Sequence, residues 1–74
     1  MVDMKTVTAP SAWWVVEKSD TVVQKRHTTA SEYSTVEYNI PESCDVKEVG
    51  ASDIGEMSTD TSVLTDSEKD ALGV

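Results

Sequence analysis

The sequence predicts a mainly β fold, a small antiparallel sheet with a short C-terminal helix, and three patterns indicate it. Residues 12–27 contain two β-prone runs around a polar turn, residues 35–40 alternate between apolar and polar side chains, and Thr65 to Glu68 match a capping box. The 74 residues suffice for one domain, 1–74. A domain of this size buries only about 60 % of the surface of its unfolded chain, so its own core is small.

The first predicted strand covers Val2–Thr8, where β-branched residues are frequent. Pro10 follows and marks its end, because proline has no N–H for a sheet hydrogen bond. We therefore expect residues 1–11 to form an edge strand or an arm.

The strongest local signal is the hairpin over residues 12–27. Its predicted strands run from Ala12 to Lys18 and from Thr21 to His27, on either side of Ser19 and Asp20. Ser-Asp departs from the Asn-Gly pair that two-residue turns prefer, which favours a longer loop.

Both faces of this hairpin are apolar at its centre. Trp13 and Val15 point to one side of the strand, and Trp14 and Val16 point to the other. A strand exposed on one side alternates instead. The hairpin is therefore either sandwiched within the domain or has one face covered by another chain.

After a polar connection over 28–34, residues 35–40 predict a strand with Val36, Tyr38 and Ile40 facing inward, ended by Pro41. The pattern further indicates a short strand over 46–49, closed by Gly50. It predicts a loop over 51–60 and another short strand over 62–64.

The last element is a helix near 66–72. Thr65 and Glu68 form its capping box, and Gly73 suits its C-terminal end. Two turns of helix are unstable alone in water, so this helix requires that Leu64 and Leu72 find apolar cover.

The charge of the chain is unevenly distributed. Residues 1–30 carry a formal charge of +1 and residues 31–74 carry −9, which together give −8. Such polarity attracts a cationic partner and repels nucleic acid. We expect residues 51–74 to be an acidic C-terminal region that a partner can order.

The residues of catalytic chemistry are scarce. Cys44 and His27 each occur once, and Glu42 and Asp45 beside Cys44 would raise the thiol pKa rather than activate it. The lone Cys and His exclude a structural zinc cluster, Asp60 to Asp66 lack the EF-hand pattern, and the glycines form no phosphate-binding motif. We predict a protein that is not an enzyme and has no cofactor or metal.

One basic and aromatic combination, Lys25 to His27 with the two tryptophans, could stack nucleic acid bases on a strand platform. Three basic groups release too few counterions to offset the negative charge of the chain. We therefore predict no direct nucleic acid binding.

The start of the chain lacks the apolar region of a signal peptide, and the longest apolar run, 12–16, is too short to span a bilayer. We expect no membrane partner and no small-molecule substrate, and we expect a cytoplasmic protein.

Two functions fit these patterns. The first is a non-enzymatic structural or adaptor protein, a homo-oligomer or a subunit completed by neighbours in a larger assembly, for example an accessory virion subunit. The alternative is an acidic inhibitor that blocks a basic, nucleic-acid-binding cleft of a target protein. The candidate interaction residues are Trp13, Trp14, Val16, Tyr38, Leu64 and Leu72. The candidate acidic face consists of Glu42, Asp45, Glu48, Asp53, Glu56 and Asp60.

Overall fold

The computed structural model of the protein describes residues 2–9, 12–27 and 34–74. These residues form five strands and two short helices: β1 Met4–Ala9, β2 Trp13–Lys18, β3 Thr21–His27, β4 Val36–Pro41, β5 Asp45–Glu48, α1 Ala51–Ile54 and α2 Asp66–Leu72. The predicted mainly β class with a short C-terminal helix is confirmed. Within the described ranges, no helix is long and apolar enough to cross a membrane.

The strands form two small antiparallel sheets. One pairs β1 with β4, and the other has the order β3-β2-β5. Strand β1 lies beside β5, and Lys5 of β1 donates to Asp45 of β5 at 2.8 Å. The two sheets therefore share one core.

The outer strands agree closely with the sequence pattern. Strand β4 begins one residue later than predicted and includes Pro41, which pairs with Met4. Its alternation is confirmed, since Ile40 is buried and Val36 and Tyr38 pack against the core. Strand β1 is also shifted from its predicted range, and Pro10 lies outside the described residues, as does most of the polar connection over 28–34.

The hairpin forms as predicted, but its turn is tighter than expected. Lys18 pairs with Thr21, so the loop consists of Ser19 and Asp20 alone. Both residues have positive φ, 52° and 64°, as a type I′ turn requires. The prediction of a longer loop was wrong, because Asp and Ser side chains tolerate the turn despite its steric cost.

A bulge bends the hairpin near its turn. Val16 pairs with Gln24 and Glu17 pairs with Val22, which leaves Val23 as the extra residue of β3. Val23 is fully buried in the core. The bulge therefore turns a side chain of β3 towards the interior and increases the local twist.

The chain itself covers both faces of strand β2. Trp14 and Val16 lie in the core cluster, and Val15 on the opposite face has 0 % exposure. Helix α1 packs against β2, and the segment after β5 reaches the far edge of the sheet, where the Asp60 N–H donates to the Val22 carbonyl oxygen at 2.9 Å. Of the two arrangements that the sequence left open, the structure shows the sandwiched one.

Two predictions for residues 51–64 were wrong. Residues 51–60 contain the one-turn helix α1 rather than only loop. Residues 62–64 form a turn instead of a strand, because the Asp60 carboxylate accepts from the Ser62 N–H at 2.9 Å and from its hydroxyl at 2.6 Å. Such side-chain bonds compete with strand pairing.

Helix α2 is confirmed with both of its predicted ends. The Thr65 hydroxyl accepts from the Glu68 N–H, and the Glu68 carboxylate accepts from the Thr65 N–H. Gly73 adopts a left-handed φ of 77° and ends the helix. Leu64 and Leu72 are buried in the core, so the apolar cover that the helix needs comes from this chain.

The hairpin turn generates a stability prediction. Replacing Ser19 by Asn and Asp20 by Gly retains the type I′ geometry with residues that adopt positive φ at lower cost. The change should raise the free energy of unfolding by about 1 kcal/mol. Urea unfolding followed by tryptophan fluorescence measures it.

The control is Asp53→Gly in α1, an exposed position within a helix. That change should lower the free energy of unfolding by about 0.5 to 1 kcal/mol. The position is right-handed, so glycine loses conformational freedom on folding there and gains nothing from its access to positive φ. An unchanged or reduced stability of the turn variant would contradict the turn assignment.

Candidate functional site

The six candidate interaction residues separate into two groups. Four of them, Trp14, Val16, Leu64 and Leu72, lie in the core of the chain, where they contact other parts of the same chain. Trp13 and Tyr38 are half-buried. A contact of any of the six with another chain stays a prediction.

Tyr38 lies between a tryptophan and an arginine. Its ring centroid is 5.3 Å from that of Trp14, and the Arg26 guanidinium lies 4.1 Å above it. Arg26 also donates to Gln24 and to the Leu72 carbonyl oxygen at the end of α2, the latter at 3.3 Å. Burial lowers the pKa of Arg26 below its ordinary value, and the side chain joins β3, β4 and α2.

Two of the basic residues of β3, Arg26 and His27, contact aromatic side chains of the same chain. The His27 and Trp13 ring centroids are 5.2 Å apart, Arg26 covers Tyr38, and Lys25 is exposed. Trp14 has only 3 % exposure, so its ring is not available for stacking on a base.

The Trp14 indole N–H is buried and has no hydrogen-bond partner within the described part of the chain. An unsatisfied buried donor costs about 1 to 3 kcal/mol. The ring contact with Tyr38 and burial in the core oppose this cost.

All six residues of the candidate acidic face are exposed. We call residues 42–60, which contain them, the acidic segment; Lys47 is its only cation. Within the described residues, the ion pairs are Lys5 with Asp45 and Lys18 with Glu68. Five of the six carboxylates in the acidic segment therefore lack an ion-pair partner there.

Hydrogen bonds hold the last carboxylate of this segment in its charged form. The hydroxyl and the N–H of Ser62 both donate to Asp60 and lower the pKa of its carboxyl. The Asp60 carboxyl therefore stays negatively charged at pH values below those at which an ordinary aspartate becomes protonated.

The two residues considered for nucleophilic catalysis lie in different surroundings. Cys44 is fully buried in the core, whereas His27 is exposed at the end of β3. Burial is the main cause that raises the pKa of the Cys44 thiol, and the charge of Glu68 adds to it. The direction agrees with the sequence argument, although Glu42 and Asp45 are not the cause.

A buried ionic network, which the sequence did not indicate, joins three parts of the chain. The Glu68 side chain has 6 % exposure and accepts from Lys18 Nζ at 2.7 Å, from the Ser43 hydroxyl and from the Thr65 N–H at 2.9 Å. Bonds from Lys18, then Ser43 and Thr65, lower the pKa of Glu68 to about 2. The capping box pointed to Glu68, but no pattern pointed to Ser43 or Lys18.

Within the ranges described above, no group of three or more His, Cys, Asp or Glu side chains could hold a metal ion. Comparisons with protein-family models, curated proteins and solved structures found no match for this chain. The candidate site is therefore defined by the geometry and charge of this chain alone.

The buried network predicts a stability change and its pH dependence. Glu68→Gln removes the ion pair and should lower the free energy of unfolding at pH 7 by about 1 to 3 kcal/mol. The folded-state pKa of Glu68 lies below its ordinary 4.5, at about 2. The stabilisation is thus present above pH 4.5 and is lost as the pH falls towards 2.

Urea unfolding at several pH values measures this effect. The gap between the wild type and Glu68→Gln should narrow as the pH falls from about 4.5 to about 2. Asp70→Asn, an exposed carboxylate of the same helix, is the control and should change stability little. A gap that stays constant with pH would contradict the ionic role of Glu68.

Proposed function

We propose that this protein is a non-enzymatic interaction protein, a structural or adaptor component that docks its acidic segment on a positively charged partner protein. The observation that carries the proposal is the set of exposed carboxylates over 42–60, of which Asp45 alone has an ion-pair partner within the described residues. Charge of this kind steers association with a partner of opposite sign and contributes to specificity.

The position of the acidic segment supports this role. It connects β4 to the far edge of the hairpin sheet and includes strand β5 and helix α1. Its backbone is held by pairing with β2 and by the Asp60 to Val22 hydrogen bond. Carboxylates on a backbone fixed in this way lose less conformational freedom on binding than those of a flexible tail.

The distribution of apolar surface supports docking by charge over docking by a broad hydrophobic face. The large hydrophobic residues that are exposed within the described parts of the chain are Met4, Val63 and Val74. Met4 lies in β1, Val63 lies in the turn before α2, and Val74 is the last residue of the sequence. A homo-oligomer or a virion subunit that buries an extended apolar face has little such surface to use here.

The alternative function, an inhibitor that covers a basic, nucleic-acid-binding cleft, uses the same carboxylates. Asp20, Glu56 and Asp60 line one shallow cleft of about 490 Å³, which favours a concentrated negative potential at the turn end of the hairpin. Competition distinguishes the two roles. An inhibitor is displaced from its partner by a short DNA duplex, whereas an adaptor bound at another basic surface is not.

The test asks whether binding of a cationic probe depends on the position of the negative charges or only on their total number. The variant Glu48→Gln removes one charge from the acidic segment. The matched control, Glu37→Gln, removes the same type of charge from an exposed position on β4. The probe is decalysine, and its affinity is measured by isothermal titration calorimetry.

We expect the first variant to weaken decalysine binding about threefold or more and the control to weaken it less than about 1.5-fold. Binding by the wild type should weaken several-fold between about 50 and about 200 mM salt. Equal losses in both variants would show that the charge acts only as a total and would overturn the proposal.

A further inference from the structure

A second surface feature lies between the start of β1 and helix α2. Val2, Met4, Ser67, Asp70 and Ala71 line a cleft of about 510 Å³, a volume within the range of small binding sites. We call it the β1–α2 cleft. It lies outside the acidic segment.

The lining of this cleft is mainly apolar. Val2 and Met4 are two residues apart near the start of β1 and therefore project from the same side of the chain. Ala71 supplies a small side chain from the facing helix. Met4 has 43 % exposure, which is high for a large hydrophobic residue, and methionine adapts its shape to different binding partners.

The rim of the cleft is acidic. Asp70 lines it directly, and Asp66 lies one turn earlier on the same helix. The cations of these elements are Lys5, which pairs with Asp45, and Lys69, so the rim has more negative than positive charge.

From this charge and this lining we infer that the β1–α2 cleft binds a protein segment in which one aliphatic side chain is flanked by lysine or arginine. The aliphatic group enters the cleft between Met4 and Ala71, and the cation lies against Asp70. The inference rests on the proposed function, because it names the local sequence by which a positively charged partner is held.

Apolar burial and charge make separable contributions to this contact. A leucine side chain that leaves water in the cleft strengthens binding in proportion to the area buried. The surrounding carboxylates select a basic segment and repel an acidic one. Both contributions are needed, since charge alone would place the segment anywhere on the acidic surface.

The probes are three acetylated and amidated tripeptides: Lys-Leu-Lys, Lys-Gly-Lys and Glu-Leu-Glu. Binding is followed by NMR, through the methyl signals of Met4 and Ala71 in the full chain. We expect Lys-Leu-Lys to shift these signals in a saturable manner and to bind about fivefold or more tightly than the other two.

Two matched pairs of variants locate the contact. Met4→Ala is compared with Val63→Ala, which shortens an exposed hydrophobic residue outside the cleft, and Asp70→Asn is compared with Glu37→Gln, an exposed carboxylate outside both proposed surfaces. The cleft variants should weaken Lys-Leu-Lys binding about threefold or more, and the control variants should leave it within about 1.5-fold.

The results that would overturn the inference differ from those that bear on the acidic segment. Equal binding of Lys-Leu-Lys and Lys-Gly-Lys, or equal effects of the cleft and control variants, would show that no apolar anchor enters the cleft. Met4 signals that shift with protein concentration before any peptide is added would place a second copy there and would also overturn it. The decalysine comparison between Glu48→Gln and Glu37→Gln decides the proposed function independently, because neither residue lines the cleft.

Discussion

The Glu68 carboxylate is the interaction on which the arrangement of this small protein depends. It bonds Lys18 at the end of β2, Ser43 in the turn between β4 and β5, and the N–H of Thr65 at the start of its own helix. A carboxylate with so little exposure is stable as an anion only because each oxygen has a partner. The network therefore fixes helix α2 against both sheets. It stabilises a helix of two turns, which is too short to be stable alone in water.

Around this network, aromatic and basic side chains complete the closure of the domain. Arg26 lies over Tyr38 and reaches the carbonyl oxygen of Leu72, and Tyr38 packs against Trp14. The cations that the chain possesses are thus partly used to join its own elements. Because the acidic side chains outnumber these cations, most carboxylates have no ion-pair partner within the described part of the chain, and the two proposed contacts both depend on that excess of negative charge.

The two proposed surfaces require different properties of a partner, positive charge in one case and an aliphatic side chain in the other. The acidic segment offers charge on a backbone held by strand pairing, which favours fast association and orientation. The β1–α2 cleft offers a small apolar volume, which favours retention, since burial of one aliphatic group slows dissociation. A basic protein with an exposed aliphatic residue between its lysines or arginines would satisfy both.

The sequence by itself determined the local elements. Alternation at Val36, Tyr38 and Ile40, the two runs of the hairpin and the capping box of Thr65 and Glu68 each depend on neighbouring residues, so their pattern is readable along the chain. It also determined the acidic character of the second half. It did not show that the Ser19-Asp20 loop has only two residues, that 62–64 turns instead of extending, or that α1 forms.

Only the tertiary structure decided which face of the hairpin is covered and by what. Strand β2 has apolar side chains on both faces, namely Trp13 and Val15 on one and Trp14 and Val16 on the other. This pattern is the same whether the second face is covered by this chain or by another, so periodicity cannot distinguish the two. The packing of α1 against β2 and the burial of Val15 settle that choice. The same limit applies to Glu68 and to the β1–α2 cleft, because each is made by residues about 25 to 70 positions apart, whose proximity depends on the packing of the whole chain.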